Sequence, residues 1–170
     1  MRSITLVLGG VRSGKSRYAL SLAESMAGPR VFVATAYVSD DEMAAKIARH
    51  KLERSAAWTT VEETTELGRA LRDVVGTAGV VVVDCLTMFA ASVMEGREAE
   101  VDALVEALAA APCAVVVVSN EVGSGVVPEY ASGRRYRDLL GEINQRVARV
   151  ADDVILMVAG LPLAVKGRVA

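Results

Sequence analysis

An α/β fold, with a mainly parallel sheet flanked by helices on both faces, is what this sequence predicts. Strand-like apolar runs alternate with helix-like runs along the whole chain, the pattern that lays crossover helices onto a parallel sheet. Val-rich runs at Val80-Val81-Val82-Val83 and at Ala114 to Ser119 are of the buried type, uniformly apolar rather than alternating. A Gly-rich segment joins the first strand to the first helix. No internal repeat, low-complexity stretch or long linker interrupts the alternation, and 170 residues are most simply one domain, residues 1–170. A domain of this size buries roughly 70% of its unfolded surface.

The first strand is Ile4-Thr5-Leu6-Val7-Leu8. It runs into Gly9-Gly10-Val11-Arg12-Ser13-Gly14-Lys15-Ser16, which matches the phosphate-cradling P-loop. Gly9 and Gly14 permit backbone conformations closed to residues with a Cβ, so that successive N–H groups converge on an anion. Lys15 supplies a point charge for the β- and γ-phosphates, and Ser16 a hard oxygen for Mg²⁺. Arg17 to Glu24 reads as a helix whose positive N-terminus faces the phosphates. The fold class is thereby sharpened to a P-loop NTPase with a RecA-like sheet.

Gly28-Pro29 breaks the chain before a buried-type strand, Arg30 to Ala36. Ser39-Asp40-Asp41-Glu42 has capping-box spacing and opens a helix through Met43, Ile47 and His50 to about Arg54. A short strand, Trp58 to Glu62, leads to a helix from about Thr65 to Val75. Gly79 to Asp84 is a strand ending in a carboxylate. Helix Glu98 to Ala111 stops at Pro112, and strand Ala114 to Ser119 follows. The loop Asn120 to Pro128, a long helix Gly133 to Ala151, strand Val154 to Val158 and an extended tail Gly160 to Lys166 complete the chain.

Composition narrows the function. The chain is 52% hydrophobic, 24% charged and only 4% aromatic, with a net charge of −2. Val, Leu and Ala must therefore fill the core, and no run of Lys or Arg resembles a nucleic-acid footprint. No apolar run approaches the ~18 residues of a membrane span. The first strand begins within three residues, leaving no room for a signal peptide, so the expected location is cytoplasmic. Cys85 and Cys113 read as reduced packing residues.

Two positions outside the P-loop carry chemistry. Asp84, at the end of a buried strand, is placed to act as a Walker-B-type carboxylate facing Ser16 and Mg²⁺ at the ligand edge of the sheet. His50 is the only histidine, and Lys46, Arg49, Lys51 and Arg54 surround it. Such a run can be a solvated helix face. It also suits a neutral imidazole that attacks phosphorus while cations offset the developing charge. The 120–128 loop, with Gly123 and Gly125, is either a flexible connection or part of the site through Asn120 and Glu121.

The chain resembles the bifunctional adenosylcobinamide kinase/adenosylcobinamide-phosphate guanylyltransferase family over essentially all its length. The likeness rests on Gly9 to Ser16 with Arg17, Val33-Ala34-Thr35-Ala36, and Asp40-Asp41-Glu42-Met43 with Arg49-His50-Lys51. It continues through Asp84-Cys85-Leu86-Thr87, Asn120 to Pro128, and Arg137-Asp138 with Gly141 and Asn144-Gln145. The resemblance implies that His50 is guanylylated by GTP. It also implies that residues 9–16 bind triphosphate, and that Ala34, Thr35, Ala36, Lys51, Leu52, Glu53, Arg54, Glu62 and Asp84 line the guanine nucleotide site. Some relatives carry a second histidine where this chain has Arg49, and Glu where it has Asp84. The substrates implied are adenosylcobinamide with ATP or GTP, and the assembly a homo-oligomer, a trimer.

Catalysis would rest on Lys15 and His50, with Mg²⁺ held by Ser16 and Asp84. One triphosphate would serve two reactions, so His50 is expected to lie far from the P-loop without nucleotide and to approach it when GTP binds. Two other readings compete: an ordinary P-loop kinase for a small alcohol or nucleotide, and a RecA-like ATPase module coupled to a partner.

Overall fold

The structure, a computed structural model, describes residues 2–36 and 57–169. The helix expected from Ser39 to Arg54, and with it His50, Lys51, Leu52, Glu53 and Arg54, lies outside the described residues. The elements in order are β1 (Ser3–Gly9), α1 (Lys15–Glu24), β2 (Arg30–Ala34), β3 (Trp58–Glu62), α2 (Leu67–Val75) and β4 (Val80–Asp84). They continue with α3 (Leu86–Val93), α4 (Ala99–Ala110), β5 (Ala114–Val118), α5 (Ala131–Val150), β6 (Asp153–Val158) and β7 (Leu161–Lys166).

The seven strands among the described residues join one sheet in the order β3-β2-β4-β5-β1-β6-β7. The first six pair in parallel, and β7 returns antiparallel to β6. The β6–β7 turn is two residues, Ala159 and Gly160, both at positive φ (51° and 83°), as a type I′ hairpin requires. The mainly parallel sheet expected from the alternation of runs is therefore present, with one antiparallel edge.

Alternate residues of the buried strands feed two cores. Val7, Phe32, Val80, Val82, Val116 and Ile155 point to the face covered by Ala19, Leu20 and Ala23 of α1. Leu6, Val33, Val81, Val83, Val115 and Val117 point to the other face, under Leu71 of α2, Phe89 of α3, Leu104 of α4 and Ile143 of α5. Helices thus cover both faces, which is why β4 and β5 are apolar on successive residues. Gly68 lets α2 approach α4: a Cβ there would stand 2.5 Å from the Ala103 carbonyl oxygen.

Several elements differ from the sequence reading: β2 ends at Ala34 rather than Ala36, and the tail expected only as extended pairs with β6 as the edge strand, so Val154 to Val158 does not close the sheet. Helix α3 was not expected; its eight residues follow directly on a strand, too short a run for helical periodicity to declare itself. Helix α2 starts at Leu67 rather than Thr65, because the Glu63 carboxylate accepts the Thr65 and Glu66 N–H groups at 2.8 and 3.0 Å. Cys85 and Cys113 carry free thiols, as expected, and Cys113 packs in the larger core. No helix among the described residues is long and apolar enough to cross a membrane.

Candidate functional site

The C-terminal ends of the parallel strands converge on the loop that follows β1. Gly9 takes φ +153° and Gly14 φ +95°, and a Cβ on Gly9 would meet Ser13 Oγ at 2.6 Å and the Met157 carbonyl at 2.7 Å. The loop closes on itself through Ser13 N–H to Gly10 O, 3.3 Å, and helix α1 starts with Tyr18 N–H to Gly14 O, 3.0 Å. The N-cap of α1 is Gly14, which offers no side-chain acceptor, and its first turn carries no acidic residue. The leading N–H groups and the positive end of the helix dipole are therefore suited to an anion. Lys15 is buried, and its ammonium donates to Gly10 O and, at 3.5 Å, to Ser13 Oγ. The cation is thus held over the loop that would cradle a phosphate.

Two neighbours brace this loop. Gly160 of the β6–β7 turn donates its N–H to Ser13 O at 3.0 Å, and Glu121 donates its own to Gly9 O at 3.1 Å. The 120–128 segment is thereby anchored at its start to the phosphate loop. Asn144 of α5 adds a second anchor, its Nδ2 donating to Asn120 O at 3.0 Å. The Glu121 carboxylate accepts the Gly123 N–H at 2.6 Å and so closes its own turn.

Strand register aligns the other expected residues. Glu62 pairs with Ala34, Ala34 with Asp84, Asp84 with Val118, and Val118 with Val7. One row across the sheet thus runs from Glu62 to the strand that carries the phosphate loop. Because side chains alternate, Asp84 shares the face of Val80 and Val82, the face covered by α1. Helix α1 packs on β4 and β5, so Ser16, at its N-terminal end, and Asp84 belong to the same corner. No hydrogen bond or ion pair from a described residue engages the Asp84 carboxylate.

Thr35 departs from its neighbours. It is fully buried, and its hydroxyl donates to Cys85 O at 2.8 Å and accepts from Cys85 N at 2.7 Å, leaving it no proton to offer a ligand. The Cys85 thiol is pushed up by burial and then by the Asp84 carboxylate beside it, so it stays protonated near neutral pH. Tyr136, half-buried on α5, donates to Thr87 O at 3.3 Å, and burial with the nearby Cys85 pushes its phenol up to about 12. Sequence reasoning missed the braces at Gly160 and Asn144 and the engagement of Thr35; the Ala159-Gly160 pair between two apolar runs was the available turn signal.

Residues 5–165 match the family described as cobinamide kinase / cobinamide phosphate guanyltransferase. Relatives include the bifunctional adenosylcobalamin biosynthesis protein CobP of Pseudomonas aeruginosa, 40% identical over 95% of this chain and 96% of that protein. Those named CobU from Escherichia coli and Salmonella typhimurium are 34% and 37% identical, each over 95% of this chain and 98% of its own length. A match that begins in β1 and ends in β7 takes in the whole sheet and every loop along its ligand edge, and the chain belongs to the cobinamide kinase / cobinamide phosphate guanyltransferase family.

Proposed function

We propose that the chain phosphorylates the hydroxyl of adenosylcobinamide with ATP or GTP. It then transfers GMP from GTP through His50 to the resulting phosphate, giving adenosylcobinamide-GDP. The observation that carries this reading is the phosphate loop with Lys15 folded onto it, set at one corner with Ser16 and Asp84. Residues 1–170 act as one domain in this reading, supported by the single sheet that contains every described strand.

In the first reaction the substrate hydroxyl oxygen bonds to the γ-phosphorus, the bond to the β-phosphate oxygen breaks, and a nucleoside diphosphate leaves with the hydroxyl proton released. Lys15 moves from Gly10 O to the phosphates, where its charge offsets that spread over the transferring group. Residues 9–16 hold the triphosphate through their backbone N–H groups. Ser16 and Asp84 fit Mg²⁺, which is usually held by one or two carboxylates together with phosphates and water. When bound, Mg²⁺ neutralises phosphate charge.

In the second reaction the His50 imidazole bonds to the α-phosphorus of GTP and pyrophosphate departs. A phosphate oxygen of adenosylcobinamide phosphate then takes the guanylyl group and frees the imidazole. Ala34, Thr35, Ala36, Lys51 to Arg54, Glu62 and Asp84 line the guanine nucleotide site in this reading, and the Glu62–Ala34–Asp84 row supports it. The homo-oligomer, a trimer by the family resemblance, is supported by β7, an edge strand exposing Leu161, Leu163 and Val165. A nucleotide-dependent biosynthetic role suits the cytoplasm.

Incubation with GTP labelled at the α-phosphorus tests the reading. Acid-labile label should appear on the protein and map to His50 by mass spectrometry, and His50→Ala should lose it while still phosphorylating adenosylcobinamide. Unlabelled wild-type protein, or a folded His50→Ala that loses both activities, would overturn the proposed division of labour.

A further inference from the structure

We propose that Thr35 is a positioning residue for Asp84, acting through the peptide that follows it; the proposal rests on reading Asp84 as a carboxylate for Mg²⁺. The β2–β4 ladder ends at the pair Ala34 and Asp84, and a last main-chain bond runs from Thr35 N–H to Asp84 O at 3.2 Å. Beyond it, Cys85 turns the chain from β4 into α3. It is the extended N-cap of that helix (φ −145°, ψ 165°), with no side-chain cap bond. Its own N–H and C=O have left the ladder.

A single atom serves both groups. Thr35 Oγ1 accepts the Cys85 N–H at 2.7 Å and donates to the Cys85 carbonyl at 2.8 Å. Thr35 is itself fixed: it is fully buried, its β-branch restricts χ1, and its carbonyl accepts the Thr64 hydroxyl at 2.8 Å. The residues on both sides of the Asp84 peptide plane are therefore held by one neighbour fifty residues distant in sequence. The Asp84 carboxylate has no hydrogen bond of its own among the described residues. Thr35 fixes the backbone from which that carboxylate extends.

Serine can make both hydroxyl bonds and valine neither, although valine matches threonine in shape. Binding of a non-hydrolysable GTP analogue, titrated with MgCl₂, separates Thr35→Val, Thr35→Ser and Asp84→Asn. Thr35→Val should raise the Mg²⁺ half-saturation about tenfold or more, the usual cost of losing a partner that orients a metal ligand. Thr35→Ser should restore the wild-type value, and Asp84→Asn should shift at least as far as Thr35→Val.

An unshifted Thr35→Val beside a shifted Asp84→Asn would overturn the positioning role and leave the Asp84 reading intact. An unshifted Asp84→Asn would overturn both. A readout independent of any variant is amide exchange in the wild-type protein. The Cys85 N–H should exchange as slowly as those of Val81 to Val83, and rapid exchange would overturn the clamp even if Thr35→Val failed to fold.

Discussion

At the scale of single residues, Lys15 is the cation that the proposed phosphoryl transfer would use. Its ammonium already sits over the loop, bonded to Gly10 O and Ser13 Oγ, so little side-chain freedom is left to lose when it turns to a phosphate. Lys15→Ala should lower kcat for adenosylcobinamide phosphorylation by about a hundredfold or more, the scale on which removal of one preorganised charge partner is felt. A steady-state assay of the kinase step checks this, with circular dichroism to show the variant folded. The conformation of the loop was legible in the sequence because its glycines and its turn into α1 are constrained locally. Thr35 was not legible as a brace: its partner is Cys85, and no rule of spacing connects a strand end to a peptide that far along the chain.

At the scale of elements, the onset of α2 rests on a charge. Burial alone would raise the Glu63 carboxyl. The N–H groups of Glu66, Thr65 and Thr64, with the Arg69 guanidinium, outweigh it and hold the group below the ordinary carboxylate range. A carboxyl whose folded pKa lies under its unfolded value, ~4.3 for Glu, stabilises fully above that value and loses its contribution as pH falls through the folded pKa. Glu63→Ala should therefore destabilise the protein by about 1 kcal/mol at neutral pH, as a lost cap does. The gap from wild type should close in acid. Urea unfolding at pH 7 and near pH 3 measures it, and an undiminished gap at the lower pH would refute the electrostatic account. The same residue shows why boundaries were less legible than elements: the Thr65 N–H is committed to Glu63, which propensity does not reveal. Helix α3 escaped notice because its eight residues follow directly on a strand, and the extended Cys85 before it is held by Thr35, far off in sequence.

At the scale of the whole molecule, the class of fold was legible and the order of its strands was not. Alternation of apolar and amphipathic runs demands a covered parallel sheet, but any of several strand orders meets that demand. The order found sets β1 between β5 and β6 and brings Glu62, Ala34 and Asp84 into one row. It also has a consequence in time. The strand bearing the phosphate loop is synthesised before both of its sheet neighbours, for Ser3 pairs with Ala114 and Thr5 with Asp153. Pairing across such separations carries the loop-closure cost that makes non-local contacts slow to form. A nascent chain stalled before Asp153 would expose β1 with its β6 side unpaired and would not retain nucleotide on a triphosphate resin, whereas one extended through the β6–β7 hairpin should. The candidate phosphate loop thus gains its last brace only when the β6–β7 hairpin, far downstream of it, has been made.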